Sequence, residues 1–230
     1  MALNKSKGNM YGFVTHTFNM IKGKCSHDCV YCYMRQFKLN PVRFDKAELK
    51  TDLGQGNFIF VGSSTDMWAD DIQVEWIEAT LNHCVKYPKN RYLFQSKNPR
   101  RFLAKDFAFP NDTIFGTTIE TNRNRYLNLS NASPIKDRIG VMNALKFVHL
   151  KTMITIEPIM DFDLGPFSDM IIGARPDWVN IGADSKGHNL PEPSEEKVLQ
   201  LISEIEKFTK VIQKKNLKRL APPIGAERSE

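Results

Sequence analysis

Short apolar runs rich in β-branched and aromatic residues alternate along the chain with segments of helical periodicity. This alternation predicts βα units arranged around a parallel sheet. The six runs with the composition of buried strands span residues 11–19, 57–63, 91–97, 112–120, 151–159 and 177–184. Because six strand signals are too few for a closed eight-stranded barrel, the pattern favours an α/β fold, a partial (β/α)6 TIM-like barrel.

The segments between these runs predict helices. A short helix is expected at residues 33–38, and a longer one at 71–86, where apolar residues recur at helical spacing. A further helix over 133–147 begins with a serine cap at Ser133 and a proline, and "NPRRFLA" also places a proline at a helix start. Ser194 is predicted to cap a last helix with one apolar face. That face is expected to contain Val198, Leu201, Ile202, Ile205, Phe208 and Ile212.

The chain of 230 residues shows no linker, internal repeat or low-complexity segment. We therefore expect one domain over residues 1–219, ending in a basic C-terminal helix, and a disordered tail over 220–230. Residues 207–219 carry six Lys or Arg and no acidic residue, which accounts for the whole net charge of +6. Two interpretations of this basic segment stay open: a solvated helix end, which suits the helix dipole, and a contact with a polyanion.

Several classes of protein are disfavoured by the composition. The chain contains no run of about 18 apolar residues, and residues 1–13 lack the apolar stretch of a signal peptide. These features predict a cytoplasmic protein without a membrane partner, whereas the oligomeric state leaves no sequence signal. Three of the four cysteines lie within eight residues, which favours metal or cluster ligation in a reducing compartment over a disulfide framework.

The stretch "KCSHDCVYCYMR" places Cys25, Cys29 and Cys32 in a CxxxCxxC pattern. An iron–sulfur cubane is usually held by four thiolates, so three would leave one iron open to bind a small molecule. The alternative is a structural zinc site, which needs a fourth ligand at a tetrahedral position. The candidates for that ligand are His16, His27 and Cys84.

With Tyr31 directly before the last cysteine, this loop resembles the signature loop of the radical S-adenosylmethionine superfamily. The resemblance implies a [4Fe-4S] cluster, held by the three cysteines, whose unique iron binds S-adenosylmethionine. It also implies reductive cleavage of that cofactor to a 5′-deoxyadenosyl radical, which takes hydrogen from a substrate. An external one-electron reductant, a flavodoxin or ferredoxin-like protein, would then be a partner.

In barrels of this type the chemistry lies at the carboxyl ends of the strands, and polar residues follow the predicted strands of this chain there. The resemblance implies that Ser64, Thr65 and Asp66 accept hydrogen bonds from the methionyl ammonium of S-adenosylmethionine. It also implies that Lys97 neutralises the methionyl carboxylate. Strand alternation places Thr118 and Glu120 on one side, facing the ribose. The full set of predicted cofactor-binding residues is Tyr31, Ser64, Thr65, Asp66, Lys97, Thr118, Glu120, Asn122 and Glu157.

Several of these assignments have a plainer alternative. Ser64 to Asp66 also fit a polar turn before a helix, Lys97 a solvated loop lysine, and Glu157 a strand end before proline. The Ser-Thr-Asp sequence departs from the Gly-Gly-Glu common in the superfamily and resembles its spore photoproduct lyase branch. "SKNP", "TIETN" and "IEPI" also resemble a phage- and prokaryote-associated family within the superfamily.

The substrate is not fixed by these motifs. The likeness to the photoproduct lyase branch favours a nucleic acid or nucleobase, and the basic segment is compatible with phosphate binding. A peptide or a small metabolite is the competing substrate class, and a noncatalytic zinc or iron–sulfur binding module is the alternative from another class. As a hydrogen donor Tyr33 is a better candidate than Cys84, which helical spacing places in the core, although a packing role also explains Tyr33.

Overall fold

The computed structural model describes residues 3–104, 107–123 and 128–222 of the chain. In chain order its strands are β1 (Asn4–Lys5), β2 (His16–Phe18), β3 (Ile21–Lys22), β4 (Arg43–Phe44), β5 (Phe58–Val61), β6 (Arg91–Gln95), β7 (Thr113–Thr118), β8 (Lys151–Ile156), β9 (Trp178–Ile181) and β10 (Lys210–Gln213). Within these ranges eight strands form one sheet in the order β1-β2-β5-β6-β7-β8-β9-β10, and β3 pairs with β4 separately. All strands of the large sheet run parallel except β1, which pairs antiparallel with β2 at one edge.

Helical crossovers connect the parallel strands, as parallel pairing requires. The α-helices are α1 (Val74–Val85), α2 (Ile135–Phe147), α3 (Leu164–Gly173) and α4 (Glu195–Glu206). Shorter 3-10 helices span Tyr33–Gln36, Lys46–Lys50, Pro99–Leu103 and Lys215–Arg219. The six strands predicted from sequence are therefore present as β2 and β5 to β9, and the mostly parallel sheet with its helices confirms the α/β partial-barrel prediction.

The two faces of the sheet are covered differently, because alternate side chains of a strand point to opposite faces. The apolar sides of the helices pack against one face and form the main core. On the other face Leu93, Ile114 and Met153 pack against Tyr11 and Val14 of the N-terminal segment. Among the described residues this segment, and not a helix, covers the second face, and the polar groups described below lie at the carboxyl ends of the strands.

The predicted basic C-terminal helix is wrong, because α4 ends at Glu206 and the chain enters β10 four residues later. Between α4 and β10 the Thr209 hydroxyl donates a hydrogen bond to the carbonyl of Pro176 at 2.9 Å. The β-branched pair Val211 and Ile212 then pairs in parallel with β9, as its strand propensity favours. The sheet consequently has a seventh parallel strand that the sequence pattern did not reveal.

Two smaller predictions also need correction. Ser133 does not cap α2, since no side chain caps this helix and the Ser133 hydroxyl donates instead to Oδ1 of Asn98 at 2.9 Å. By contrast, the Ser194 side chain accepts from the amide of Lys197 and caps α4 as predicted. Ala221 is buried in the main core, so the predicted tail does not begin at residue 220. Residues 223–230 of the predicted tail lie outside the described residues.

No helix in the described part of the chain combines the length and apolar character needed to cross a membrane.

The boundary of α4 is tested by a pair of substitutions. Ile205→Ala removes a side chain that is fully buried in the main core, and we expect it to lower the free energy of unfolding by about 2–5 kcal/mol. Phe208→Ala, predicted from the sequence to be equally costly, removes a ring that is 64% exposed and should change stability by less than about 0.5 kcal/mol. Urea unfolding measures both, and equal losses would show that Phe208 is buried on the helix.

Candidate active site

The cysteine loop follows β3 and is built from successive tight turns. The carbonyl of Cys25 accepts from the amide of Asp28 at 3.2 Å, that of Cys29 from Cys32 at 3.1 Å, and that of Cys32 from Arg35 at 3.0 Å. Asp28 adopts a positive φ of 43°, a conformation that aspartate tolerates better than most residues. The three predicted cluster ligands are thus carried on one short segment with a turn at each cysteine.

Gly23 fixes the entry of this loop. Its φ is +119°, and a Cβ atom there would lie 2.5 Å from the carbonyl oxygen of Pro41, so the position requires glycine. Its carbonyl accepts a hydrogen bond from the hydroxyl of Thr65 at 2.9 Å. Thr65, a predicted ammonium ligand, therefore ties the cysteine loop to the end of β5.

At two of the three cysteines, Cys25 and Cys32, burial favours the protonated thiol. Burial raises the pKa of Cys25 to about 12, with a further contribution from the charge of Asp66 and a smaller one from Cys29. Burial also raises the pKa of Cys32, and Cys29 again contributes in the same direction. Because Cys29 acts on both of the others, it lies within electrostatic reach of each, and a metal bound here must displace the thiol protons.

No three His, Cys, Asp or Glu side chains gather closely enough to hold a single metal ion within residues 3–104, 107–123 and 128–222. The three residues considered as a fourth zinc ligand are engaged elsewhere: two form hydrogen bonds and the third lies in the core. His27 Nε2 hydrogen-bonds to Asp66 at 2.9 Å, His16 Nδ1 to the Thr15 hydroxyl, and Cys84 is buried in the main core. The thiolates of a cubane bind different irons, so they need not converge on one point, and the donor set of this loop is compatible with such a cluster.

Asp66 is the anchor between the cysteine loop and the ends of β5 and β6. Its Oδ2 accepts from the hydroxyl of Ser96 and the amide of Lys97, both at 2.9 Å, in addition to His27. Burial on its own raises the pKa of Asp66, but the hydrogen bond and charge of His27, together with hydrogen bonds from the amides of Lys97 and Trp68, lower the pKa below its usual value. In this arrangement the carboxylate is fully engaged by the protein, and its predicted binding of an ammonium group stays a prediction.

A buried ionic cluster, formed by Tyr31, Lys97, Glu120 and Arg138, lies where the loop meets β6 and β7. Glu120 Oε1 accepts from the Tyr31 hydroxyl at 2.6 Å and from Lys97 Nζ at 2.5 Å. Its Oε2 accepts from Arg138 Nη1 at 2.9 Å. Lys97 Nζ also donates to the Tyr31 hydroxyl at 2.8 Å and lies 4.3 Å from the centre of its ring. Three of the residues predicted separately from the sequence are therefore brought into direct contact.

The ionisation of this cluster follows from its charges. Burial would raise the pKa of Glu120, but the positive charges of Lys97 and Arg138 lower it to about 2. Burial would lower the pKa of Lys97, but Glu120 and then Tyr31 raise it. Burial and the Glu120 charge raise the pKa of Tyr31, so its hydroxyl stays a hydrogen-bond donor. At neutral pH the cluster contains one carboxylate between two cations and a neutral phenol.

A pocket opens beside this cluster, with about 470 Å³ of free space that includes its open mouth. Its enclosed part has a volume of about 90 Å³, below the usual range of small-molecule sites. Tyr31, Glu120 and Arg138 provide its polar wall, and Ser130, which lines it as well, has its hydroxyl 3.0 Å from the Cys29 sulfur. The apolar wall consists of Ala132, Pro134, Ile135 and Met160. The pocket therefore connects the cysteine loop to the ionic cluster.

The remaining predicted residues lie outside this cluster. The Thr118 hydroxyl accepts from Gln95 at 3.1 Å, and Asn122 accepts from the amide of Asp163 at 2.9 Å. The backbone amide of Ser64 donates to Asn19 at 3.1 Å. These partners keep each residue near a strand end without linking it to Glu120 through its side chain.

Glu157, the last of the predicted cofactor-binding residues, belongs to a second polar group. Its carboxylate accepts from Lys214 Nζ at 2.5 Å, Asn216 Nδ2 at 2.8 Å and Asn9 Nδ2 at 2.7 Å. These contacts join the end of β8 to the N-terminal segment and to the residues after β10.

Arg138 is the site residue that sequence reasoning missed. It is only 4% exposed and also donates from Nη1 to the carbonyl of Thr118 at 2.7 Å and from Nε to that of Ser133 at 2.7 Å. A signal was available, because Arg138 interrupts the buried stripe of α2, which contains Ile135, Met142 and Leu145. A cation at such a position is rarely buried without a partner.

Gly23→Ala is expected to displace the cysteine loop, because its Cβ meets backbone atoms that cannot move aside cheaply. We predict a loss of about 1–3 kcal/mol in the free energy of unfolding and a lower iron content after anaerobic reconstitution. Gly12→Ala is the matched control, since nothing lies within 4 Å of its added Cβ. Iron analysis and urea unfolding check the pair, and equal iron content in the two variants would contradict the role given to Gly23.

Arg138→Met leaves the buried Glu120 carboxylate with Lys97 as its one cationic partner in the cluster. Removing one partner of a buried ion pair costs roughly 3–5 kcal/mol, and we expect the low end because Lys97 remains. The double variant Arg138→Met with Glu120→Gln should recover part of this loss, since it removes the uncompensated charge. Urea unfolding of both variants is the measurement, and a double variant less stable than Arg138→Met alone would contradict this assignment.

No protein-family model matches the chain, and no curated protein matches it in sequence. Among solved structures it is similar to a mutant spore photoproduct lyase with dinucleoside spore photoproduct, at 11% identity and a TM-score of 0.68, covering 92% of this chain and 81% of that one. A mutant with bound AdoMet and dinucleoside spore photoproduct gives 11% identity and a TM-score of 0.67, covering 91% and 80%. The chain therefore has the fold of spore photoproduct lyase, a radical S-adenosylmethionine enzyme, as the sequence resemblance predicted.

Proposed function

We propose that the protein is a radical S-adenosylmethionine enzyme that binds a [4Fe-4S] cluster at Cys25, Cys29 and Cys32 and abstracts hydrogen from a nucleic-acid base. The observation that carries this proposal is the direct contact between the cysteine loop and the strand-end residues predicted for the cofactor. Tyr31, which precedes the last cysteine, donates to Glu120 at the end of β7. The motif and the strand ends thus form one site in space.

The [4Fe-4S] cluster and S-adenosylmethionine, when bound, supply a 5′-deoxyadenosyl radical on reduction by an external electron donor. The protein holds three irons through its cysteines and places the pocket beside them. The apolar wall formed by Ile135 and Met160 suits an adenine ring, and Glu120 offers a carboxylate to ribose hydroxyls. A flavodoxin or ferredoxin-like protein is the partner proposed to provide the electron.

Arg138 has a specific part in this proposal. Lys97 and Arg138 both form ion pairs with Glu120. If Lys97 turns to the methionyl carboxylate, Arg138 still compensates the charge of Glu120, which stays ionised and able to accept hydrogen bonds. Because Glu120 has two cationic partners, Lys97 can change partner without leaving this buried carboxylate unpaired.

The substrate class rests on the structural neighbours. Spore photoproduct lyase has been solved with a dinucleoside spore photoproduct, at 11% identity to this chain. By analogy a damaged or modified base in DNA is the substrate proposed here. The association with phage stays a prediction.

The proposed chemistry is tested by anaerobic reconstitution with iron and sulfide, followed by dithionite, S-adenosylmethionine and chromatography for 5′-deoxyadenosine. We expect about four irons per chain and 5′-deoxyadenosine from the wild type. Cys29→Ala should abolish the product, because it removes one iron ligand.

Cys84→Ala is the matched control, since Cys84 is buried in the main core and the variant should still form 5′-deoxyadenosine. A wild type that carries its full iron but forms no 5′-deoxyadenosine, even with DNA lesions present, would contradict the catalytic proposal and favour a noncatalytic binding module. Equal product from Cys29→Ala would contradict the ligand assignment.

A further inference from the structure

Directly after the last cysteine, residues 33–38 form an exposed segment that carries two aromatic rings and two cations, "YMRQFK". Tyr33 is 43% exposed and Phe37 is 55% exposed. The side chain of Arg35 is 48% exposed, and Lys38 is exposed as well. We call residues 33–38 the aromatic strip.

The aromatic strip is fixed at the mouth of the site. Its 3-10 helix, Tyr33–Gln36, starts at the residue after Cys32, and the amide of Arg35 donates to the carbonyl of Cys32 at 3.0 Å. The Tyr33 hydroxyl donates to the carbonyl of Ser63 at 2.9 Å, just beyond the end of β5. A molecule that lies on the strip is therefore adjacent to the cysteine loop.

The chain segment that contains the aromatic strip carries a positive charge. Residues 29–44 contain Arg35, Lys38 and Arg43 and no acidic residue. Asp28, just before this range, is shared between Arg35 at 2.8 Å and Lys24 at 3.6 Å. In the described part of the chain no acidic side chain forms an ion pair with Lys38. One acid thus faces two cations, and Lys38 adds a further positive charge.

Exposed rings interleaved with cations are the two elements with which proteins bind unpaired nucleic-acid strands. Bases stack on aromatic side chains, each stack contributing about 1–3 kcal/mol, and cations follow the phosphates. The bases of a duplex are already stacked on one another, so they cannot use such rings without being extruded. The combination of exposed rings and positive charge therefore favours an unpaired strand over a duplex.

We infer that the aromatic strip docks an unpaired nucleic-acid strand beside the cysteine loop, with a base stacked on Phe37 and phosphates near Arg35 and Lys38. This inference rests on the proposed function for its substrate class, and it adds the surface and the single-stranded state of the nucleic acid.

The test measures binding of a fluorescein-labelled 12-mer oligodeoxynucleotide, single-stranded or as its duplex, by fluorescence anisotropy over a range of salt concentrations. The reconstituted wild type is expected to bind the single strand more tightly than the duplex. Phe37→Ser should weaken single-strand binding about tenfold, a size consistent with the loss of one stacked base. Lys38→Gln should reduce the salt dependence by about 0.7 in the slope of log K against log salt.

Phe147→Ser is the matched control, because Phe147 is 84% exposed but ends α2 just before β8 begins. It therefore lies at the amino end of the parallel strands, whereas the cysteine loop lies at their carboxyl end. This variant should bind the oligonucleotide like the wild type. Equal weakening by Phe37→Ser and Phe147→Ser, tighter binding of the duplex, or equal competition by polyglutamate at the same charge would each overturn the inference.

The inference and the proposed function fail in different ways. Phe37 is 55% exposed, Lys38 is exposed, and neither is among the described residues that line the pocket, so both variants should form 5′-deoxyadenosine without oligonucleotide at the wild-type rate. Normal 5′-deoxyadenosine formation without the Phe37 effect on binding overturns the docking inference alone. Single-strand binding that depends on Phe37, in a protein that forms no 5′-deoxyadenosine, overturns the proposed chemistry alone.

Discussion

The ionised carboxylate of Glu120 is the constraint on which the site depends. It is 2% exposed, and the free energy needed to bury an isolated charge exceeds the net stability of a typical domain. Lys97 and Arg138 supply the compensating charges, and the Tyr31 hydroxyl supplies a further hydrogen bond. Since these partners come from the β6 end, from α2 and from the cysteine loop, the need to compensate one carboxylate fixes three separate segments relative to each other.

The rest of the site follows from the same principle of satisfying polar groups at the strand ends. Asp66 joins His27 of the cysteine loop to Ser96 after β6, and Thr65 joins the end of β5 to Gly23. These contacts are all made within the protein, so they hold the loop in place against the strand ends. Several residues that the resemblance assigns to the cofactor therefore already have a structural role.

Much of this arrangement could be predicted from the chain. The six strand runs gave the order of the barrel because their β-branched and aromatic residues are local signals, and the spacing of the cysteines identified the loop. β10 was missed because Ile212 continues the helical spacing of α4, and only pairing with β9 decides between helix and strand. Arg138 was missed for a related reason: its role depends on Glu120, which is 18 residues away in sequence.

The central claim is that the cysteine loop and the ionic cluster around Glu120 form one site, which binds S-adenosylmethionine at the [4Fe-4S] cluster. It is tested most directly by electron paramagnetic resonance of the reduced, reconstituted protein titrated with S-adenosylmethionine, in the wild type and in Glu120→Gln. We predict that the wild-type spectrum changes saturably, and that Glu120→Gln gives the same spectrum without cofactor but needs about ten times more of it, as expected for a loss of about 1.4 kcal/mol. A wild-type spectrum that does not respond to S-adenosylmethionine would contradict the claim.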